Sequence, residues 1–197
     1  GGGNLILGSE SFKNAELKGN TGDGSSITYE LTGGATMANT NSNRYFRWTT
    51  VGAYVAKGVT LCLSVMYKPV SGADEFCMEI AYTAGYSTSQ SWATIKPTDQ
   101  LEIEQTDGWV LRYGLWTPPD NATLKLVDMG SGTTHAGTGN YTNKFSLLHP
   151  MLQYGNAPTA WNASSGDYLT QESAKSLFSQ TADEIKTEVT KSVTETV

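Results

Sequence analysis

At 197 residues, with 38% hydrophobic and 16% charged side chains, the chain is long enough for one well-buried core and a remainder. Its net charge of −6 and pI near 4.9 come without any cluster of Lys or Arg, which excludes phosphate-driven binding of nucleic acid and disfavours a membrane surface. No run of about eighteen apolar residues occurs, so no helix of it is expected to span a bilayer.

The opening Gly1-Gly2-Gly3 has neither a basic region nor an apolar run. It reads as a cloning scar over residues 1–3 with no retained signal peptide, and the natural start is expected upstream. From Ser26 onward, short apolar or β-branched runs alternate with turn-forming clusters, the pattern of a sandwich or barrel. Strands are expected at 26–31, 44–50, 59–68, 74–82, 90–95, 108–116, 122–129 and 143–154, and eight strands suit a jelly-roll β-sandwich spanning 4–161.

Period-two alternation separates the faces of these strands. In 59–68 the core set is Leu61, Leu63, Val65 and Tyr67; in 74–82 it is Phe76, Met78, Ile80 and Tyr82; in 108–116 it is Trp109, Leu111, Tyr113 and Leu115. The opposite set, with Ser64, Met66, Glu79, Arg112 and Trp116, is too polar for a second core and too aromatic for bland surface. Turns are explicit at Leu31-Thr32-Gly33-Gly34, Ser71-Gly72-Ala73-Asp74, Thr106-Asp107-Gly108 and the rigid Trp116-Thr117-Pro118-Pro119-Asp120-Asn121. The segments 37–43 and 130–143 read as long polar loops, where function tends to reside.

Cys62 and Cys77 fall in predicted strands. A cross-strand pair is conceivable there, but two buried reduced thiols is the expected state, with no metal site. Asn121-Ala122-Thr123, Asn140-Tyr141-Thr142 and Asn162-Ala163-Ser164 match the glycosylation pattern, as chance allows in so Asn- and Thr-rich a chain.

After Gly155 the character changes. A short polar connector (162–169) leads to a helical pattern over 170–197, with Thr170-Gln171-Glu172-Ser173 able to cap and acids ahead of Lys186 and Lys191. Apolar positions at Leu177 or Phe178, Ala182, Ile185, Val189, Val193 and Val197 step closer to an eleven-residue rhythm than to a heptad. Nothing remains in the chain to bury that stripe, so the start of an oligomerising helix is expected, in one piece of a longer, elongated protein.

Three stretches carry a resemblance. Asn4-Leu5-Ile6-Leu7 looks like the opening of a jelly-roll domain, Pro150-Met151-Leu152-Gln153-Tyr154-Gly155-Asn156-Ala157-Pro158-Thr159-Ala160-Trp161 like a closing strand with a tryptophan turn, and Gln180-Thr181-Ala182-Asp183-Glu184-Ile185-Lys186-Thr187-Glu188-Val189 like the helix that follows. Together they resemble the receptor-binding, baseplate and tail-fibre proteins of tailed bacteriophages and prophages of Gram-positive hosts, with their carbohydrate-binding-module-like jelly rolls. In place of that family's Pro- and acid-rich connector the chain has Asn162-Ala163-Ser164-Ser165-Gly166-Asp167, a departure that bears on the subfamily. The resemblance implies a virion tail protein, a homotrimer through its helix, host-surface polysaccharide as partner, and no cofactor apart from a structural calcium ion.

A sugar offers C–H patches on one face and hydroxyls at its rim, so its site wants an exposed aromatic beside planar hydrogen-bonding groups. Arg112 and Glu79 supply the latter, joined by Arg47 or Tyr45 from a neighbouring strand. Trp92, Tyr86, Trp116, Tyr82 and Trp48 are the aromatic candidates, while Trp109 and Trp161 are assigned to packing. The ligand set is therefore Arg112, Glu79, Trp92, Tyr86, Arg47 and Trp116. Arg112 beside Glu79 equally reads as a surface ion pair worth under about 1 kcal/mol.

His135 and His149 have no nucleophile placed by a motif, and Glu79, Glu102, Glu104 and Asp107 read as strand-edge carboxylates as well as they read as an acid–base pair. No EF-hand-like run exists for calcium, and Glu10 or Asp128 near the chain ends name no ligand set. A non-catalytic host-surface glycan-binding module is the expectation. A structural spacer, or a polysaccharide-degrading domain, are the alternatives, and a spacer should show no exposed aromatic next to Arg112.

Overall fold

The computed structural model describes residues 3–164 apart from residue 138, and the expected connector and helix over 165–197 lie outside the described residues. The described chain is all-β. Its strands are β1 (Glu16–Asn20), β2 (Ser26–Tyr29), β3 (Ala35–Thr49), β4 (Tyr54–Val55), β5 (Leu61–Gly72), β6 (Phe76–Ala84), β7 (Gln90–Ile95), β8 (Leu101–Glu104), β9 (Val110–Trp116), β10 (Ala122–Ser131) and β11 (Tyr141–Tyr154), with single 3-10 turns at Phe12–Asn14 and Pro97–Asp99.

One continuous sheet in the order β7-β6-β10-β3-β11-β5-β9-β8 curls into two layers because β3 runs through both. Its second half pairs with β10 and β1 in the first layer, and its first half pairs with β11 and β2 in the second. The passage lies near Asn41, whose φ of 48° is left-handed. There the corner is held by polar side chains. Buried Arg44 donates from Nε to Asn39 Oδ1 (2.9 Å) and from Nη2 to the carbonyls of Ser26 and Ala38, and Asn39 Nδ2 donates to Asn143 Oδ1 (2.9 Å). The segment 37–43 is therefore strand, and not the polar loop expected. Asn39, Asn41 and Asn43 bond partners about a hundred positions away, while Thr40 and Ser42 bond Ser25 and Gly22.

The core between the layers holds Leu61, Leu63, Val65 and Tyr67 from β5 against Phe46 and Trp48 of β3, Phe76, Met78 and Ile80 of β6 and Leu124, Val127 and Met129 of β10. Phe12 caps one end, edge-on to Phe46 (4.9 Å) and Trp48 (5.1 Å). The inward sets expected for β5 and β6 are buried as anticipated. In β9 the phase is reversed. Register pairs Leu61, Leu63, Val65 and Tyr67 with Trp116, Gly114, Arg112 and Val110, so these four face the core, while Leu115 on the other side is 43% exposed.

The reason is close approach. A Cβ on Gly114 would stand 2.5 Å from Ile95 Cγ2, so β9 lies hard against β7 of the opposite layer and only hydrogen fits there. The buried Arg112 is accommodated by lying flat on Tyr67.

Both ends of the described chain meet at Asn4, which is 1% exposed. Its Nδ2 donates to Ser9 Oγ, Pro150 O and Asn162 O, its Oδ1 accepts from the backbone N–H groups of Ile6 and Leu152, and its own N–H donates to Asn162 Oδ1. The opening and closing stretches singled out in the sequence are thus joined physically.

Candidate functional site

The mixed face expected from alternation is three separate surfaces. Glu79 sits on the outer side of the first layer, Ser64 and Met66 on the outer side of the second, and Arg112 and Trp116 on the inner side of the second. Arg112 and Glu79 therefore do not form a pair.

Arg112 lies 3.9 Å over the Tyr67 ring, donates from Nη1 to Asp74 (2.9 Å) and from Nη2 to Glu102 (2.6 Å), and its rings Tyr67 and Phe76 are buried. It is 6% exposed, so the solvent-exposed ion pair weighed as its alternative role is also displaced. Trp116 packs against Tyr82 (4.6 Å) beside the core, and Trp48 is buried within it. Tyr86 is fully exposed in the β6–β7 turn.

The outer side of the first layer brings the remaining candidates together. Arg47↔Asp128↔Glu79 is one row across β3, β10 and β6, with Thr94 of β7 beyond Glu79. Trp92 is opposite Ala81 on the same side, and Tyr45 neighbours Arg47 two residues away on β3. Arg47 grips Asp128 with two parallel bonds, Nε to Oδ1 at 2.8 Å and Nη2 to Oδ2 at 2.9 Å, while its guanidinium carbon stands 5.7 Å from the Trp92 centroid and 5.8 Å from that of Tyr45.

Asp128 and Glu79 are both fully buried. Burial, against the pull of Arg47, holds the Asp128 carboxyl above its usual range, and the bond to Asp128 raises Arg47 in turn.

A loop after β10 covers part of this row. His135 stacks on Trp92 (4.4 Å, 29°), its backbone N–H donates to Glu79 Oε1 (2.5 Å), and its Nδ1 is 3.6 Å from Glu79 Oε2. Tyr45 and Thr134 share a hydroxyl bond of 2.5 Å. This side is therefore not open to solvent throughout. Its carboxylates lie beneath 133–137, and the open part is a neighbouring cleft of about 720 Å³ lined by Leu7, Asn14, Glu16, Arg47, Lys125 and Leu126.

His135 and Asp128 joined the site unforeseen, because only register and loop path place them beside Arg47. Asp128 carried one legible signal, a charge between the core residues Val127 and Met129.

The two carboxylates considered for a structural calcium ion, Glu10 and Asp128, do not come together as a ligand set. Both Asp128 oxygens are engaged by Arg47, Glu10 accepts from Asn14, and no group of three or more His, Cys, Asp or Glu gathers among the described residues. Cys62 and Cys77 are free, lie in different layers, and burial pushes their thiols up to about 11 and about 12.

No family model and no curated protein matches the chain. Among solved structures it is similar to the enzymatically active domain of tailspike protein 4 of bacteriophage CBA120 (11% identity, 77% of this chain and 21% of that one, TM-score 0.45). It is also similar to a family 16 carbohydrate-binding module (14%, 76% and 99%, 0.43) and to the tripod from the baseplate of bacteriophage Tuc2009 (14%, 85% and 60%, 0.40). The chain thus spans about a fifth of the tailspike chain it matches. These neighbours are phage tail proteins and a carbohydrate-binding module, and likeness at this level carries no argument about function.

Proposed function

We propose that this protein is a non-catalytic glycan-binding module of a phage tail protein, taking host-surface polysaccharide on the outer side of its first layer, with residues 170–197 joining copies into a trimer. The observation that carries the reading is the half-buried Trp92–His135 stack held beside the Arg47–Asp128 pair at the edge of an open cleft. Stacked rings give a sugar's C–H face a platform, and fixed charges orient its hydroxyls. Trp92 and Arg47 remain the proposed site, with Tyr86 as an exposed outlying contact, while Glu79, expected among the ligand residues, is buried beneath 133–137 and holds His135 in place. Arg112 and Trp116 belong to the framework.

An open groove buries little area, so each site binds weakly and several copies raise the effective concentration. Titration of host wall polysaccharide into the full chain tests this. Trp92→Ala and Lys125→Trp, the second filling the cleft, are each expected to weaken binding at least about tenfold with unchanged thermal stability, as loss of one stacking contact or of access requires. Release of reducing ends from that polysaccharide would replace the reading with a degrading enzyme.

The spacer reading has one observation in its favour, that the rings beside Arg112 are buried. It predicts no binding of any envelope fraction by the intact oligomer.

A further inference from the structure

A second cleft lies on the opposite side of the molecule, against the outer side of the second layer. It measures about 410 Å³, within the range of small-molecule sites, and its walls include Ser64 and Met66 of β5, Leu111 of β9, His149 and Met151 of β11, and Trp161 from the closing stretch. The Trp161 indole lies nearly parallel to the His149 ring (4.6 Å, 13°), anchored by its N–H donating to Pro150 O (3.1 Å). His149 adopts a left-handed φ of 58° in the irregularity between Leu148 and Met151, a strained backbone state for a non-glycine residue. That strain is what presents its ring to Trp161.

Two features point to a ligand. Ser64 is 2% exposed and borders the cleft, where its hydroxyl can donate to a group that enters. Secondly, no Asp, Glu, Lys or Arg lines the cleft, and burial lowers the His149 pKa, which leaves the ring neutral at pH 7. The ligand that complements it is uncharged, with a flat apolar face for the Trp161–His149 wall, an acceptor for the Ser64 hydroxyl, and a small apolar group for the floor formed by Met66, Leu111 and Met151.

We infer that this cleft is a second saccharide site, separate from the one on the first layer, and that it takes a neutral N-acetylated sugar. The ring stacks on Trp161, the acetamido carbonyl accepts from Ser64, and the acetyl methyl meets the two methionines. Ordinary hydroxylated sugars offer the first contact without the last. The module would then hold glycan on both of its outer sides.

The test is a methyl NMR titration of the full chain labelled at its five methionines. With tri-N-acetylchitotriose as probe, the Met66 and Met151 signals are expected to shift while those of core Met37, Met78 and Met129 stay still. Cellotriose should leave all five in place. Ser64→Val, which keeps the floor apolar and removes the donor, should weaken the response about tenfold, the loss of one hydrogen bond. Trp92→Ala should leave it unchanged, so failure at the first site does not touch this result. Still signals at Met66 and Met151 with the acetylated probe, an equal response to cellotriose, or an undiminished response in Ser64→Val would each overturn the proposal.

Discussion

At the scale of single residues, Arg47 and Arg112 do different work from what their sequence positions suggest. Arg47 compensates Asp128, which has no contact with water. Replacement by Met of similar length leaves that carboxylate buried and unpaired beside Glu79. Arg47→Met should cost about 3–5 kcal/mol at pH 7. Asp128 has a folded pKa above its unfolded value, so the folded state binds the proton more tightly and this group favours folding more as pH falls into that window. Denaturant unfolding at pH 7 and near pH 4 should accordingly show the deficit shrink in acid, and a deficit that holds constant would mean the charge is not its cause.

Arg112 spans Tyr67, Asp74 and Glu102 at the mouth of the core, with both acids partly solvated. Arg112→Ala should lower stability by about 2 kcal/mol while polysaccharide binding is retained. Loss of binding at full stability would return Arg112 to the site. Alternation alone made Arg112 and Glu79 look like neighbours, because it assigns a side within one strand and says nothing of which layer that strand joins.

At the scale of elements, β9 shows how a strand pattern is overruled. Trp109, Leu111, Tyr113 and Leu115 outweigh Val110, Arg112, Gly114 and Trp116 in apolar area, so hydrophobicity by itself turns the strand the wrong way. What decides the matter is Gly114, which lets the chain approach Ile95, together with the cation seat on Tyr67. The Leu set is then left at the outer side, where it joins β8's Leu101 and Ile103. Gly114→Val forces a branched side chain into that contact and should destabilise by about 1–3 kcal/mol, measured by chemical unfolding. A neutral result would show that the layers can part there at no cost.

β3 was missed over its first half for a related reason. Its Asn and Thr residues read as loop, and only the fold shows Asn39 satisfied by Arg44 of the same strand and by Asn143, distant in the chain. By contrast β5, β6 and β7 were legible because their apolar or β-branched runs end at turns whose Gly and Asp residues are themselves explicit.

At the scale of the whole molecule, Asn4 is the junction through which the first and last described segments close the sandwich. Its side chain satisfies five backbone or side-chain groups, most of them buried. Asn4→Ala should strand several at once and cost roughly 3 kcal/mol or more, seen as an earlier denaturant midpoint and faster exchange of the Ile6 and Leu152 amides. Retained protection of those amides would show that the ends hold without it. The two outer sides of the closed molecule differ in character. One carries paired charges with a half-buried tryptophan, the other an uncharged aromatic and methionine cleft.

From residue order alone came the all-β class, most strand positions and the inward faces of β5 and β6. All of these rest on local alternation and on turn chemistry, which act between near neighbours. Only the tertiary structure decided which side of β9 is inner, that residues 37–43 are strand, and that Arg47, Glu79 and Trp92 share a surface with Asp128 and His135 while Arg112 does not. Those outcomes depend on register between strands and on contacts across the two layers, and a pairing between residues some fifty to a hundred positions apart leaves no periodic trace in either partner.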